Sequence, residues 1–166
     1  MHVFNRARLI KNSKNRIPYG VDLIQKYKRE SWIVFTENKK QAKEFNKIIN
    51  TKGFKSALYN TDLDSTERLE NLNKFKKADL NVLVTCTALD EGFDMPEADG
   101  ALILSASSSK RQRVQRMGRV LRITENKPNA LIVTVYSSKT EFDKLMEEAK
   151  RYHKEGVPVS WKRQDR

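Results

Sequence analysis

The chain has little of what would staple it covalently or through a metal. Cys86 is its one cysteine in 166 residues, which excludes an internal disulfide and any cysteine-built zinc site. The two histidines, His2 and His153, stand at opposite ends of the sequence and suggest no metal site. Only six glycines and four prolines interrupt it, and neither an internal repeat nor a low-complexity block is visible. No stretch approaches the roughly 18 consecutive apolar residues of a membrane span, and the N-terminus shows no signal-peptide core. A cytoplasmic location, or a nuclear one in a eukaryote, is therefore expected.

Negative charge is also scarce. Thirty-three Lys and Arg face 21 Asp and Glu, leaving a net charge of +12 and an isoelectric point near 9.8. A surplus of this size points to an acidic partner, nucleic acid ahead of an anionic membrane, with a merely solubilising surface as the alternative. Hydrophobic residues make up 38%, a low share for a globular domain. They are nevertheless bunched into runs such as Trp32-Ile33-Val34-Phe35 and Val82-Leu83-Val84, the signature of buried strands rather than disorder. One folded domain is the natural expectation at this length.

Along the chain, short apolar runs alternate with amphipathic stretches. Met1 to Arg16 is basic and weakly patterned, either a helix packed on the domain or the remnant of an inter-domain linker. Val21 to Arg29 reads as a helix and Ser31 to Thr36 as a strand. Asn38 is placed to cap a helix with Ala42, Phe45, Ile48 and Ile49 at helical spacing, and Gly53 fits its C-terminal end. Strands are predicted at Ser56–Tyr59, Asn81–Thr85, Ala101–Leu104 and Leu131–Tyr136. Helices are predicted after Asp64, with Leu69, Leu72 and Phe75 on one face, at Lys110–Arg122 and at Thr140–Tyr152. Asp64 and Glu67 have capping-box-like spacing. This alternation implies an α/β fold with a mostly parallel central sheet and helices on both faces, and ligand sites at the carboxyl ends of its strands. Residues 1–30 read as a helical or linker segment packed on the domain, 31–152 as the domain proper and 153–166 as a basic tail. Trp161 in that tail either covers the sheet edge or stacks on a base.

The segment Gln112-Arg113-Val114-Gln115-Arg116-Met117-Gly118-Arg119-Val120-Leu121-Arg122 is the most informative. At about 100° per residue, Gln115, Arg119 and Arg122 fall within roughly 60° of each other on a helix, with Val114, Met117 and Leu121 on a separate apolar face. Two guanidiniums projecting together repel unless an anion lies opposite, and a triphosphate is such an anion. The alternative is an ordinary basic surface helix. This segment resembles motif VI of superfamily 2 helicases, Q-R-x-G-R-x-x-R. A second, Thr85-Cys86-Thr87-Ala88-Leu89-Asp90-Glu91-Gly92-Phe93-Asp94-Met95-Pro96, follows a strand and is similar to their motif V, E-G-x-D-x-P. The wording is closer to the XPB-like, phage and restriction-subunit branches, which act mostly on duplex DNA, than to the DEAD-box RNA helicases.

The resemblance implies a RecA-like three-layer α/β/α domain, the second of two motor domains. It makes Arg119 and Arg122 arginine fingers for the γ-phosphate of ATP. Gln115 would couple the nucleotide to the domain interface, Gly92 would allow close backbone approach, and Asp94 would accept hydrogen bonds from the ribose hydroxyls. Relatives often place a phosphate-contacting threonine where Cys86 stands, so that contact passes to Thr85, Thr87 or backbone amides. Thr36, at the end of a motif IV-like strand, and Asn60 and Thr61, where relatives often carry a histidine or glycine pair, are further candidate nucleic-acid contacts. The chain contains no G-x-x-x-x-G-K-[ST] loop and no D-E-x-[HD] box. The phosphate cradle and the Mg2+ ligand would thus belong to a first RecA-like domain of a longer protein, and this chain alone should be inactive. The rival expectations are a helicase-derived basic binding module without catalysis, and a dinucleotide-binding domain. The lack of a Gly-rich turn after any strand speaks against the second.

Overall fold

The computed structural model describes residues 2–8, 15–86, 96–104, 130–154 and 156–163. In chain order the described elements are β1 (His2–Arg8), α1 (Arg16–Lys26), β2 (Trp32–Thr36), α2 (Lys39–Thr51), β3 (Ser56–Tyr59), α3 (Ser65–Lys76), β4 (Val82–Cys86), β5 (Gly100–Ile103), β6 (Ala130–Tyr136), α4 (Lys139–Lys154) and β7 (Val159–Arg163). The strands form one sheet in the order β3-β4-β2-β5-β6-β1-β7, with parallel pairing throughout. From β2 the chain passes to the edge strand β3, returns to β4 beside β2, then crosses to the other side of β2 for β5 and β6. That reversal places a topological switch point at the carboxyl ends of β2, β4 and β5.

Strict alternation along the buried strands divides the core into two layers. Trp32, Val34, Val82, Val84, Leu102 and Val133 pack with Ile17, Val21 and Ile24 of α1 and with Ala42, Phe45 and Ile49 of α2. Ile33, Phe35, Leu83, Ala101, Ile103 and Ile132 face the other way, against Leu72 and Phe75 of α3. Both faces are covered, which is why β2, β4, β5 and β6 read as unbroken apolar runs instead of alternating ones.

Local chemistry fixes the helix ends. The Asn38 side chain accepts the Gln41 amide at 2.9 Å and so caps α2, while Asp64 does the same for α3 from the Glu67 amide at 2.8 Å. Gly53 follows the end of α2 with φ at +86°, a conformation that side chains disfavour. At the sheet edge, Asn50 of α2 donates to the Ser56 carbonyl and accepts the Ser56 amide, and Asn71 of α3 donates to the Leu58 carbonyl.

Three expectations need correction. Residues 2–8, read as helix or linker, form a strand inside the sheet between β6 and β7. Their sequence, His-Val-Phe-Asn-Arg-Ala-Arg, carries basic and polar residues that hide a strand held by its backbone ladder. The tail 153–166 likewise contributes β7, and Trp161 packs edge-on to Phe142 and Tyr136 with ring centroids 5.3 Å and 6.4 Å away. Leu69, expected on the apolar face of α3, is 57% exposed, and only Leu72 and Phe75 of that face are buried.

Gly100 is a position where the fold requires glycine for space. A Cβ there would stand 2.6 Å from the fully buried Trp32 ring. Gly100→Ala is therefore expected to destabilise the domain by about 1–3 kcal/mol, as overpacking does. The measurement is the urea midpoint, and an unchanged midpoint would mean that the Trp32 ring yields freely.

Candidate functional site

The carboxyl ends of β2, β3 and β4 bring together four of the residues singled out from the sequence. The Thr36 side chain is fully buried, and its hydroxyl lies 3.1 Å from the Thr85 carbonyl and 3.2 Å from the Asn38 carbonyl. It thus ties β4 to the start of α2, and its proton is committed inside the fold. Asn60 is also fully buried. Its Oδ1 accepts the Asp62 amide at 3.0 Å, closing an Asx turn directly after β3.

Two polar atoms at this edge have no hydrogen-bond partner among the described residues: Asn60 Nδ2 and Thr85 Oγ1. They belong to neighbouring strand ends, since Thr85 pairs with Tyr59 in the β3–β4 register. A buried donor without an acceptor costs about 1–3 kcal/mol. Each is a buried polar atom at a strand end with capacity for a further hydrogen bond, which an anionic oxygen could accept.

Thr61, next along the chain, is exposed, as are Lys39, Lys40 and Lys43 on the first turns of α2. Asp62 bridges the lysines, paired to Lys39 and, at 3.1 Å, to Lys43. Hydrogen bonding from Lys39, then from Lys43, holds its carboxyl below the usual carboxylate range. Two ammonium groups at the amide end of α2 thus meet one carboxylate, and Lys40 adds a third exposed ammonium on the same turn.

A second cluster occupies the same edge of the sheet, at the ends of β5 and β6, and sequence reading missed it. Arg16, the first residue of α1, is 6% exposed. Its Nη1 donates to the Leu104 carbonyl at 3.0 Å, and its Nη2 reaches both Glu141 oxygens at 2.8 and 2.7 Å and the Ser137 hydroxyl. Glu141 also accepts the Ser137 amide at 2.7 Å. Burial pushes the Glu141 carboxyl up, but hydrogen bonds from Arg16 and Ser137, with the Arg16 charge, outweigh it and leave it below its ordinary value. The partners lie 125 residues apart in sequence, so no local pattern could announce them. The one available signal is that an arginine in an apolar helix start must find an acceptor when buried.

Thr87, Gly92, Asp94, Gln115, Arg119 and Arg122 lie outside the described residues. Their segments connect to this edge by sequence. Thr87 directly follows β4, and residues 105–129 follow Leu104. Among the described residues no group of three or more His, Cys, Asp or Glu is disposed to hold a metal ion, and no helix is long and apolar enough to cross a membrane.

A parallel three-layer α/β/α sheet with its switch point at these strand ends is the RecA-like architecture of helicase C-terminal domains. The chain belongs to that family: the model of the helicase conserved C-terminal domain matches residues 15–124. It is 36% identical over 129 residues to the DNA 3'-5' translocase XPB2 of Sulfurisphaera tokodaii, covering 78% of this chain and 28% of that protein. It is 31% identical to the UvrABC system protein B of Fusobacterium nucleatum, over 71% of this chain and 19% of that one. An ATP-dependent rRNA helicase of Scheffersomyces stipitis matches at 25% over 71% of the chain, 24% of its own length. The chain thus spans under a third of each of these relatives. Among solved structures, the C-terminal domain of the DEAD-box protein Dbp5 superposes with a TM-score of 0.81 at 18% identity, over 97% of this chain and 90% of that one. Escherichia coli SrmB superposes at 0.74 and 15% identity, over 98% and 90%. At such identities the structural likeness speaks for the fold alone.

Proposed function

We propose that this chain is the second motor half of an ATP-dependent superfamily 2 translocase or helicase, acting on nucleic acid and on DNA ahead of RNA. One observation carries the reading. The strand edge that bears buried, unpartnered Asn60 and Thr85 and the lysine corner of α2 is also the edge from which the motif V-like and motif VI-like segments continue.

In this reading Arg119 and Arg122 cross to ATP held by a first RecA-like domain and stabilise charge on the transferring phosphoryl group. Asp94 accepts from the ribose hydroxyls, Gly92 admits the nucleotide close to the backbone, and Gln115 links it to the domain interface. Mg2+ would be held by the first domain. Thr85, Thr87, Asn60 and Thr61 donate to nucleic-acid phosphates, with Thr36 holding Thr85 in place from below. Contacts of this kind track the backbone, so binding should weaken steeply with salt and depend little on sequence. The DNA preference is supported by the E-G-x-D-x-P wording and by the higher identity to a DNA translocase than to an rRNA helicase.

The test is ATP hydrolysis by the longer protein with duplex DNA, single-stranded DNA or RNA as stimulator, with and without Arg122→Ala. The expected result is stimulation by DNA that the substitution abolishes. Stronger stimulation by RNA would overturn the DNA assignment. A silent Arg122→Ala would favour the non-catalytic binding module.

A further inference from the structure

Leu104 is the last described residue before the segment that carries Gln115, Arg119 and Arg122, and the fold holds it in three independent ways. Its amide donates to the Phe35 carbonyl at 3.0 Å, and its carbonyl accepts Arg16 Nη1 at 3.0 Å. Its side chain is fully buried against Gly20 of α1, where an added Cβ would meet Leu104 Cδ2 at 2.5 Å. Arg16 in turn is oriented by Glu141 and Ser137, which follow the adjacent strand β6. Glu141 lies beyond residues 15–124, which the family model matches.

Stability is a weak account of this arrangement. A buried ion pair is often matched or bettered by apolar side chains of similar volume, because removing two charges from water consumes most of their attraction. Geometry is a better account, because a rigid guanidinium held through Nη2 by Glu141 and Ser137 and donating through Nη1 to Leu104 fixes that carbonyl's position and direction in a way that an apolar contact cannot. Groups that meet a reacting phosphate must arrive in register, and a misplacement near 1 Å can reduce rate by about 10²-fold.

We propose that Arg16, held by Glu141, is a positioning residue for the arginine-bearing segment. It fixes the point at which the chain leaves β5, and so sets the rate of phosphoryl transfer more than the affinity for nucleotide. The inference rests on the motor reading above, and its test separates the two. In the longer protein, Arg16→Lys, Glu141→Gln and Gly20→Ala are compared for nucleic-acid-stimulated kcat, KM for ATP and Tm, with turnover assayed well below each Tm. Gly20→Ala disturbs Leu104 without touching a charge, and Glu141→Gln keeps the shape should Arg16→Lys fold poorly.

The expected result is a kcat lowered by about tenfold in Arg16→Lys and by severalfold in the other two, with KM within about twofold of the unmodified protein. A lowered Tm with kcat unchanged in all three would make the cluster purely structural and overturn the proposal. Arg122→Ala is run in parallel. If it loses turnover while the three variants do not, the positioning role alone is overturned; if it retains turnover, the motor reading and this inference fail together.

Discussion

Arg119→Ala in the longer protein is expected to lower nucleic-acid-stimulated ATP turnover by about 10³-fold or more, the scale at which an arginine finger contributes. The spacing of Arg119 and Arg122 is the one that would bring them to a single face of a helix, and two permanent charges held together gain from facing a polyanion and lose from facing each other. Their contribution is greatest where phosphoryl charge is redistributed, so the loss should fall on kcat, with KM for ATP changed little. Arg119→Lys should recover only a small part, since an ammonium is a point charge without the planar fork. Affinity for nucleic acid in the absence of nucleotide should stay within a few-fold. Steady-state kinetics with a saturating stimulator measure the first effect, and a salt-controlled binding titration the second. Turnover within about tenfold of the unmodified protein would count against the finger assignment and for the adaptor alternative.

The second large effect is on folding. Arg16→Leu leaves Glu141, with a side chain 21% exposed, without its cation and the Leu104 carbonyl without its donor. Breaking one side of a buried pair typically costs about 3–5 kcal/mol, and the partial exposure of Glu141 places the expectation near the lower end. The double variant Arg16→Leu with Glu141→Leu should regain most of that loss. Acid should distinguish them further. The folded carboxyl lies below its ordinary value of 4.5, so its contribution is complete above that pH and disappears as pH falls through the folded value. The parent domain should lose stability on acidification below 4.5, and the double variant should lack this component. Urea denaturation at neutral and acidic pH reads both effects. A single variant as stable as the parent would show that water replaces the guanidinium at no cost.

The fold was legible where packing and local hydrogen bonds agree. The runs at Trp32–Thr36, Val82–Cys86 and Ala130–Tyr136 are buried on both faces, so apolar density alone identifies them. Asn38 and Asp64 announce helix starts because their side chains answer the amides three residues on. β1 and β7 escaped because the residues that define them by sequence are mostly polar or basic, and parallel pairing between chain termini leaves no short-range trace. Leu69 misled because helical spacing reports a face without its width: α3 buries Leu72 and Phe75 and leaves the next position in solvent. For the site, the motif-bearing segments were readable as sequence patterns. The Arg16–Glu141 cluster and the orphaned atoms of Asn60 and Thr85 exist only once distant strand ends meet.

The asparagines beside β3 carry a last consequence, for self-association. An outermost strand normally offers its outward amides and carbonyls to any passing chain, which is how sheets extend between molecules. Here one helix on each face lends an asparagine to that rim, and the Ser56 amide, the Ser56 carbonyl and the Leu58 carbonyl are already engaged. An incoming strand would have to displace both carboxamides before forming its own ladder. The rim of β3 is thereby a poor template for edge-to-edge association.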